Sequence, residues 1–288
     1  MKYAFIREYR FQYPVKTLCR VLKASRSSYY DWLKRPPSQR ALANQVLLQR
    51  IQRVHKAHRG HSGALKTWRV LQLEGVKVGK HRVARVRQQH NIVARRRRRF
   101  VVTTHSKQTR WRAPNLLARN FKAYHPNRVW VGDVTFVPTR EGWLFLAVLL
   151  DLYSRRVVGW SMSRRNDTLL TKDALDMAIA HRSPEPGLIH HTDQGQTYAA
   201  IEYRKELDRC GMLPSMSRKG DCWDNAVAES FFATLEFELI ENRVFKSRDE
   251  AKSAIFEFIE VFYNRQRAHQ TLEYKTPLQV DLDYQKVA

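Results

Sequence analysis

Three carboxylates in this 288-residue chain stand where a carboxylate needs a chemical reason. Asp133 lies between Val131 and Val134 in the run RVWVGDVTFV, residues 128–137, whose alternation predicts a β-strand. Asp is disfavoured inside a strand, and its burial costs free energy unless it is paired or bound to metal. Asp193 follows a short apolar stretch at 188–191, within His191-Thr192-Asp193-Gln194-Gly195. The carboxyl end of a strand is where α/β sheets place ligands. Glu229 stands near the start of a predicted helix, after Ser217-Arg218-Lys219-Gly220-Asp221-Cys222-Trp223-Asp224-Asn225. Carboxylates from two strands and one helix can converge on two divalent cations about 4 Å apart, the arrangement that serves phosphoryl transfer. Mg²⁺ or Mn²⁺ suits such oxygen donors and leaves room for water and phosphate. Competitors exist. Asp151 also ends a strand, but it precedes Leu-Tyr-Ser, a turn in which Asp bonds its own backbone. Asp221 and Asp224 compete with Glu229, yet both suit loop or helix N-terminal roles.

The elements that must position these groups are legible in outline. Runs at 128–137, 143–150 and 155–163 read as strands of an antiparallel meander, joined by tight connections at Arg140-Glu141-Gly142 and Asp151-Leu152-Tyr153-Ser154. A helix at 167–181, a strand at 188–191, a helix at 199–210 and a strand at 213–216 follow, and helices at 225–241 and 248–264 close the domain. This is an α/β pattern with a mixed central sheet. Upstream the chain is helical. A pair spans 13–33, with Ser25 as the N-cap of its second member and Pro36-Pro37 as its stop. A longer helix at 38–54 carries Leu42, Val46, Leu47, Ile51 and Val54. Gly60-His61-Ser62-Gly63 breaks it, and helices at 64–73 and 80–89 are expected to pack through Leu65, Trp68, Leu71, Val83 and Val86. The expected divisions are a helical pair, 1–35; a helix-turn-helix-like DNA-binding domain, 38–94; a basic linker, 95–118; and a catalytic domain, 119–288.

Charge identifies the partner. Residues 1–112 hold 29 Lys and Arg against 3 Asp and Glu, whereas residues 113–288 hold 23 against 24. So one-sided a segment implies a polyanion, and nucleic acid is the usual one. Lys66, Arg69, Arg82 and Arg85, with Lys77, Lys80 and Arg87, place positive charge on the two short helices. The run Arg95-Arg96-Arg97-Arg98-Arg99 is expected to follow phosphates or a minor groove. Other classes are excluded. The longest apolar run, 144–150, is far short of a bilayer span, no secretory leader pattern opens the chain, and a cytoplasmic location is expected. Cys19, Cys210 and Cys222 are too scattered for a disulfide framework. His55, His58 and His61 do not by themselves complete a tetrahedral zinc site.

The motifs EGWLFLAVLLDLYSRRVVGWSMS, HTDQG, SRKGDCWDNAVAESFFATLE and YNRQRAHQTLEYKTP, in this order, resemble the integrase-core transposases of the IS-three family of insertion sequences. The match covers nearly all of residues 120–280, and the earlier helices resemble the family's helix-turn-helix-like region. The resemblance implies an RNase H-like core with a mixed five-stranded sheet and a DDE triad. The triad maps onto Asp133, Asp193 and Glu229, with 35 residues between the last two. It implies two Mg²⁺ (or Mn²⁺) ions, cleavage of insertion-sequence ends and 3′-OH strand transfer, action as a homo-oligomer on DNA, and a bacterial, nucleoid-associated setting. Tyr263, Arg267 and His269 match a further family cluster, expected to support the DNA end or the active site. Many relatives carry basic residues one and two turns beyond the Glu; here those positions are Ala233 and Glu236, so Arg218, Lys219 or the basic first part is expected to grip the DNA end. The family's product is often a frameshift fusion with an upstream-frame protein, so this chain is also read as the downstream part. A DNA-end-binding or regulatory module with little catalysis alone is the second reading.

Overall fold

The computed structural model describes residues 2–95, 111–218, 222–241 and 243–286. The chain divides between Gln52 and Arg53 into two compact units. In the first, α1 (Lys2–Tyr9), α2 (Val15–Val21) and α3 (Arg26–Lys34) enclose Ile6, Leu18, Cys19 and Tyr29. Ser25 caps α3 as expected, accepting from the Ser28 amide. α1 was not anticipated. The long helix α4 (Gln39–Ala57) carries the division; its Leu47, Ile51 and Val54 are buried, whereas Leu42 and Val46 face solvent, contrary to the amphipathic reading.

The second unit begins with the end of α4, followed by α5 (Ala64–Leu73) and α6 (Lys80–Gln89). Leu71, Val83 and Val86 are buried, and Trp68 Nε1 donates to the Val78 carbonyl at 2.8 Å. Leu65 is half exposed and takes no part, a correction to the expected packing set. Arg87 is almost fully buried and donates to Thr67 Oγ1 at 3.0 Å and to the Ser62 carbonyl at 2.8 Å. It belongs to the interior of this helical pair, not to a basic surface.

Alternating apolar residues build β1 (Val129–Thr139), which pairs antiparallel with β2 (Gly142–Asp151) along its length. β2 pairs antiparallel with β3 (Val157–Ser163). The helix α7 (Thr168–Arg182), N-capped by Asp167, then crosses the sheet to β4 (Ile189–Thr192), which runs parallel to β1. Helices α8 (Gln196–Ala199) and α9 (Ile201–Arg209) lead to β5 (Leu213–Met216), parallel to β4. The order β3-β2-β1-β4-β5 gives the mixed five-stranded sheet of an α/β, RNase H-like fold. β2 is buried on both faces, which is why it reads as an unbroken apolar run. Leu144, Leu146, Val148 and Leu150 join one core; Ala147 and Leu149 join the other with Trp130 and α7. Gly159 lets α7 lie against β3, since a Cβ there would fall 2.2 Å from the Ala174 carbonyl oxygen. Asp151 fills the turn role expected of it, accepting from Ser154 N (2.8 Å), Ser154 Oγ (3.0 Å) and Asn127 N (2.7 Å).

The other face is covered by α10 (Ala226–Leu235) and α11 (Arg248–Phe256). Each continues as π-helix, at Glu236–Ile240 and Glu257–Tyr263. The expected plain helices 225–241 and 248–264 therefore change pitch partway, which re-aims every later side chain. At the sheet edge Asn264 replaces a strand, donating to the Val157 carbonyl (3.1 Å) and accepting its amide (3.0 Å). A last helix, α12 (Pro277–Gln285), starts in a capping box of Thr276 and Gln279. Its buried Asp281 binds Arg156 (3.0 Å) and Arg182 (2.7 Å).

Candidate active site

Asp133 projects from the middle of β1, opposite Val148 on β2. Its Oδ1 accepts the Val134 amide at 2.8 Å. Asp193 follows the last residue of β4, and its Oδ1 accepts the Gly195 amide at 2.9 Å. Gly195 is required there: a Cβ would stand 2.8 Å from that oxygen. β4 lies beside β1 with His191 opposite Val131, so the two aspartates leave neighbouring strands. Glu229 sits in the first turn of α10 and is exposed.

The segment before Glu229 is fastened to both strands. Asn225 Nδ2 reaches the Gly132 carbonyl at 3.4 Å, next to Asp133. The Asp224 carbonyl faces His191 Nε2 at 3.0 Å, two residues before Asp193. The Asp224 carboxylate is fully buried and accepts from Arg218 Nε (3.0 Å), Arg119 Nε (3.0 Å) and Asn115 Nδ2 (2.9 Å). Arg218, with help from Arg119, holds this carboxyl far below its ordinary range against the opposing effect of burial. Ser217 N donates to the Thr192 carbonyl (2.9 Å), closing the same junction. Sequence reasoning gave Asp224 only a generic loop role and did not single out Asn225; the run Asp-Cys-Trp-Asp-Asn ahead of a helix was their visible signal.

The electrostatics of the three carboxylates is of one sign. Burial, then Asp193, then Glu229 raise the proton affinity of Asp133, opposed by the Val134 amide. Burial raises Asp193 against the Gly195 amide, and burial raises Glu229. Tyr198, buried beside this group, has its phenol pushed up by burial, Tyr203, Asp133 and Asp193. Among the described residues no three His, Cys, Asp or Glu side chains stand close enough to enclose a cation unaided. Mg²⁺ keeps several waters and takes one or two carboxylates, so carboxylate oxygens from these residues suit that ion class.

The expected DNA-contacting residues separate. Arg69 and Arg85 are exposed on α5 and α6, and Arg82 is half buried. Lys66 is largely buried, its pKa lowered to about 8 by burial and by Arg267. Arg95 ends the helical region, its amide bonded to the Gly60 carbonyl at 3.1 Å. Arg218 is committed to the Asp224 ion pair. Arg96, Arg97, Arg98, Arg99 and Lys219 lie outside the described residues. Tyr263, Arg267 and His269 do come together. The Tyr263 and His269 rings meet edge to face at 4.8 Å, and Arg267 Nη1 lies 3.3 Å from His269 Nε2. At the positions where relatives carry basic residues, Ala233 and Glu236 are half buried, and burial and Glu241 raise the Glu236 carboxyl.

Among the described residues no helix is long and apolar enough to cross a membrane. Fold and site together define an integrase-core protein with a helical, helix-turn-helix-like region ahead of the core. In comparison with known proteins, families described as "Integrase core domain" match residues 123–222 and 210–277, and one described as "HTH-like domain" matches residues 41–100. The chain is 41% identical over 271 residues to the insertion element IS600 uncharacterized 31 kDa protein of Shigella sonnei, covering 94% of this chain and 100% of that one. It is 40% identical to the transposase for insertion sequence element IS904 of Lactococcus lactis, covering 85% and 97%. It is 37% identical to the transposase InsF for insertion sequence IS3A of Escherichia coli, covering 93% and 94%. Among solved structures, the HTLV-2 integrase catalytic core domain in complex with magnesium aligns with TM-score 0.42 and 19% identity, over 55% of this chain and 99% of that one. The chain belongs to the IS3 (IS-three) family of insertion-sequence transposases.

Proposed function

We propose that the protein cleaves insertion-sequence ends and joins the freed 3′-OH to DNA, with Asp133, Asp193 and Glu229 holding two Mg²⁺ or Mn²⁺ ions. The observation that carries this is geometric: Asp133 and Asp193 leave the neighbouring strands β1 and β4, and the Asp224–Asn225 junction fastens the start of α10, which bears Glu229, to both strands. Burial, Asp193 and Glu229 all raise the proton affinity of Asp133, which supports a shared carboxylate site. When bound, the ions supply a nucleophilic oxygen at neutral pH and stabilise the leaving oxygen. Water attacks a phosphodiester at an element end and frees a 3′-OH; that 3′-OH attacks a second phosphodiester in line. No covalent protein intermediate is required. The chain contributes orientation and charge. The Asp224–Asn225 junction sets Glu229 against the two strands, and Gly195 leaves room for Asp193. Arg69, Arg82 and Arg85 neutralise phosphates of the DNA. The working assembly is a homo-oligomer holding two ends.

The test is cleavage and joining of end-sequence DNA in Mg²⁺ or Mn²⁺ by the wild type and by Asp193→Asn and Glu229→Gln. Each variant is expected to lose roughly a thousandfold or more in rate while staying folded, as when a residue that stabilises transition-state charge is removed. Folded, fully active variants would overturn the triad. A wild type that binds the ends but cleaves nothing would favour the DNA-end-binding or regulatory module.

A further inference from the structure

The helix bearing Glu229 ends in a second charged site that the proposed chemistry does not use. α10 runs without a break into the π-helical Glu236–Ile240, where Glu238 is turned inward and its side chain is only 6% exposed. Arg267 grips it with a fork: Nε lies 3.1 and 3.2 Å from the two carboxylate oxygens and Nη2 lies 2.9 Å from Oε1. Arg267 is itself framed by His269 and by the ring of Tyr263, 5.9 Å from its guanidinium carbon. Tyr263 in turn meets Phe231 edge to face at 4.8 Å, two residues beyond Glu229 on α10. Tyr263 and Arg267 thus hold the continuous α10–π-helix segment at two points, Phe231 and Glu238.

The helix-turn-helix-like region closes over this site. His61, in the α4–α5 connection, packs edge to face on Phe237 at 4.5 Å. Arg59 pairs with Glu257 and places its guanidinium 4.6 Å from the Phe262 ring centroid, on the second π-helix. Lys66 of α5 is the third charge here; burial and Arg267 lower its pKa to about 8, and Glu238 opposes them. Both π-helical stretches therefore coincide with the surface that receives this region. Glu238 and Phe237 both lie within the wider turn.

We infer that Glu238 and Arg267, closed over by His61 and Lys66, form a latch that positions Glu229 and makes cleavage depend on docking of the helix-turn-helix-like region. The inference rests on the catalytic assignment of Glu229. Glu238 and Arg267 are positioning residues: they bond to each other and act through α10. An isolated carboxylate–guanidinium fork at this place needs no such consequence. Its continuity with the helix carrying Glu229, and its cover by the DNA-binding region, supply one.

The experiment uses the full chain and three variants, Glu238→Gln, Arg267→Lys and Lys66→Met, plus the swap Glu238→Arg/Arg267→Glu. Three readouts are taken: amide hydrogen exchange in residues 227–241, affinity for end-sequence DNA, and the kcat and KM of cleavage in Mg²⁺. Glu238→Gln and Arg267→Lys are expected to speed exchange along α10 by about tenfold or more. They are expected to lower kcat by about tenfold at unchanged KM and DNA affinity, with partial recovery in the swap. Lys66→Met follows the same pattern if Lys66 belongs to the latch. A loss of DNA affinity with unchanged exchange would instead make Lys66 a phosphate ligand and remove it from the latch. Unchanged exchange in both Glu238→Gln and Arg267→Lys overturns the latch, whatever the activity. Faster exchange with unchanged kcat overturns the positioning role. If the wild type binds DNA but does not cleave, the catalytic assignment fails, and exchange alone decides whether the latch exists.

Discussion

Burial and the charges of Asp193 and Glu229 push the Asp133 carboxyl well above its usual range, so its ionisation works against the folded state. The sign follows from proton counting. Between the unfolded pKa of about 3.9 and the raised folded value, the folded chain binds more protons than the unfolded one. Stability with metal chelated therefore falls as pH rises through that window. Asp133→Asn removes the charge at constant size. It is expected to raise stability at pH 7 in EDTA by about 1 kcal/mol, roughly 2–4 °C in Tm for a protein of this size, and to abolish cleavage. Calorimetry at pH 5 and pH 7 checks this; an equal or lower Tm for the folded variant at pH 7 would count against it. Asp224 shows the opposite sign two helical turns or less from the same site: Arg218 and Arg119 hold it ionised, and its contribution is present above about pH 3.9 and lost as pH falls through its depressed folded pKa. One carboxylate is held by cations in the chain, whereas the charged groups that act on the other are carboxylates.

At the level of elements, close approach decides where the helices sit. Gly159 is the clearest case, because a Cβ there would meet the Ala174 carbonyl at 2.2 Å, the Ala178 Cβ at 2.7 Å and the Ala178 amide at 2.9 Å. These are mostly backbone atoms and cannot swing aside. Gly159→Ala is expected to lift α7 from β3 and cost about 2–3 kcal/mol, read as a lower urea midpoint at unchanged m-value. A midpoint equal to wild type would mean that α7 already stands off the sheet. The strand pattern RRVVGWSMS marked β3 but gave no hint of this, since a glycine in a strand can equally mark a bulge. The π-helical stretches were equally invisible. Residues 225–241 and 248–264 keep an apolar period that suits a plain helix, and in the first of them the change of pitch coincides with Phe237 and Glu238 meeting groups more than 150 residues away in sequence, at His61 and Lys66.

For the whole molecule, the charge division of the chain sets how it meets DNA. With 29 Lys and Arg against 3 acidic residues in positions 1–112, binding is expected to weaken steeply with salt. The structure adds which of these charges face outward. Arg69→Ala/Arg85→Ala is expected to reduce the slope of log K against log salt by about 2, one phosphate contact per arginine. Arg87→Ala removes a charge of the same sign but is expected to lower stability through the loss of its bonds to Thr67 and Ser62. An unchanged slope for the double variant, measured by fluorescence anisotropy, would move the DNA surface elsewhere. Apolar period is a local property, so the sequence alone was enough for the five strands and most of the helices beside them, and it singled out three candidate carboxylates by their places in a strand, after a strand and at a helix start. The resemblance to the family then favoured Asp133 over Asp151 and Glu229 over Asp224; in the structure Asp151 accepts turn bonds and Asp224 pairs with two arginines. Tertiary structure alone decided which charges face one another. Arg87 and Lys66 turned inward, Arg218 turned to Asp224, and Glu238 turned to Arg267, because each partner arrives from a distant segment whose approach depends on packing that no local pattern records.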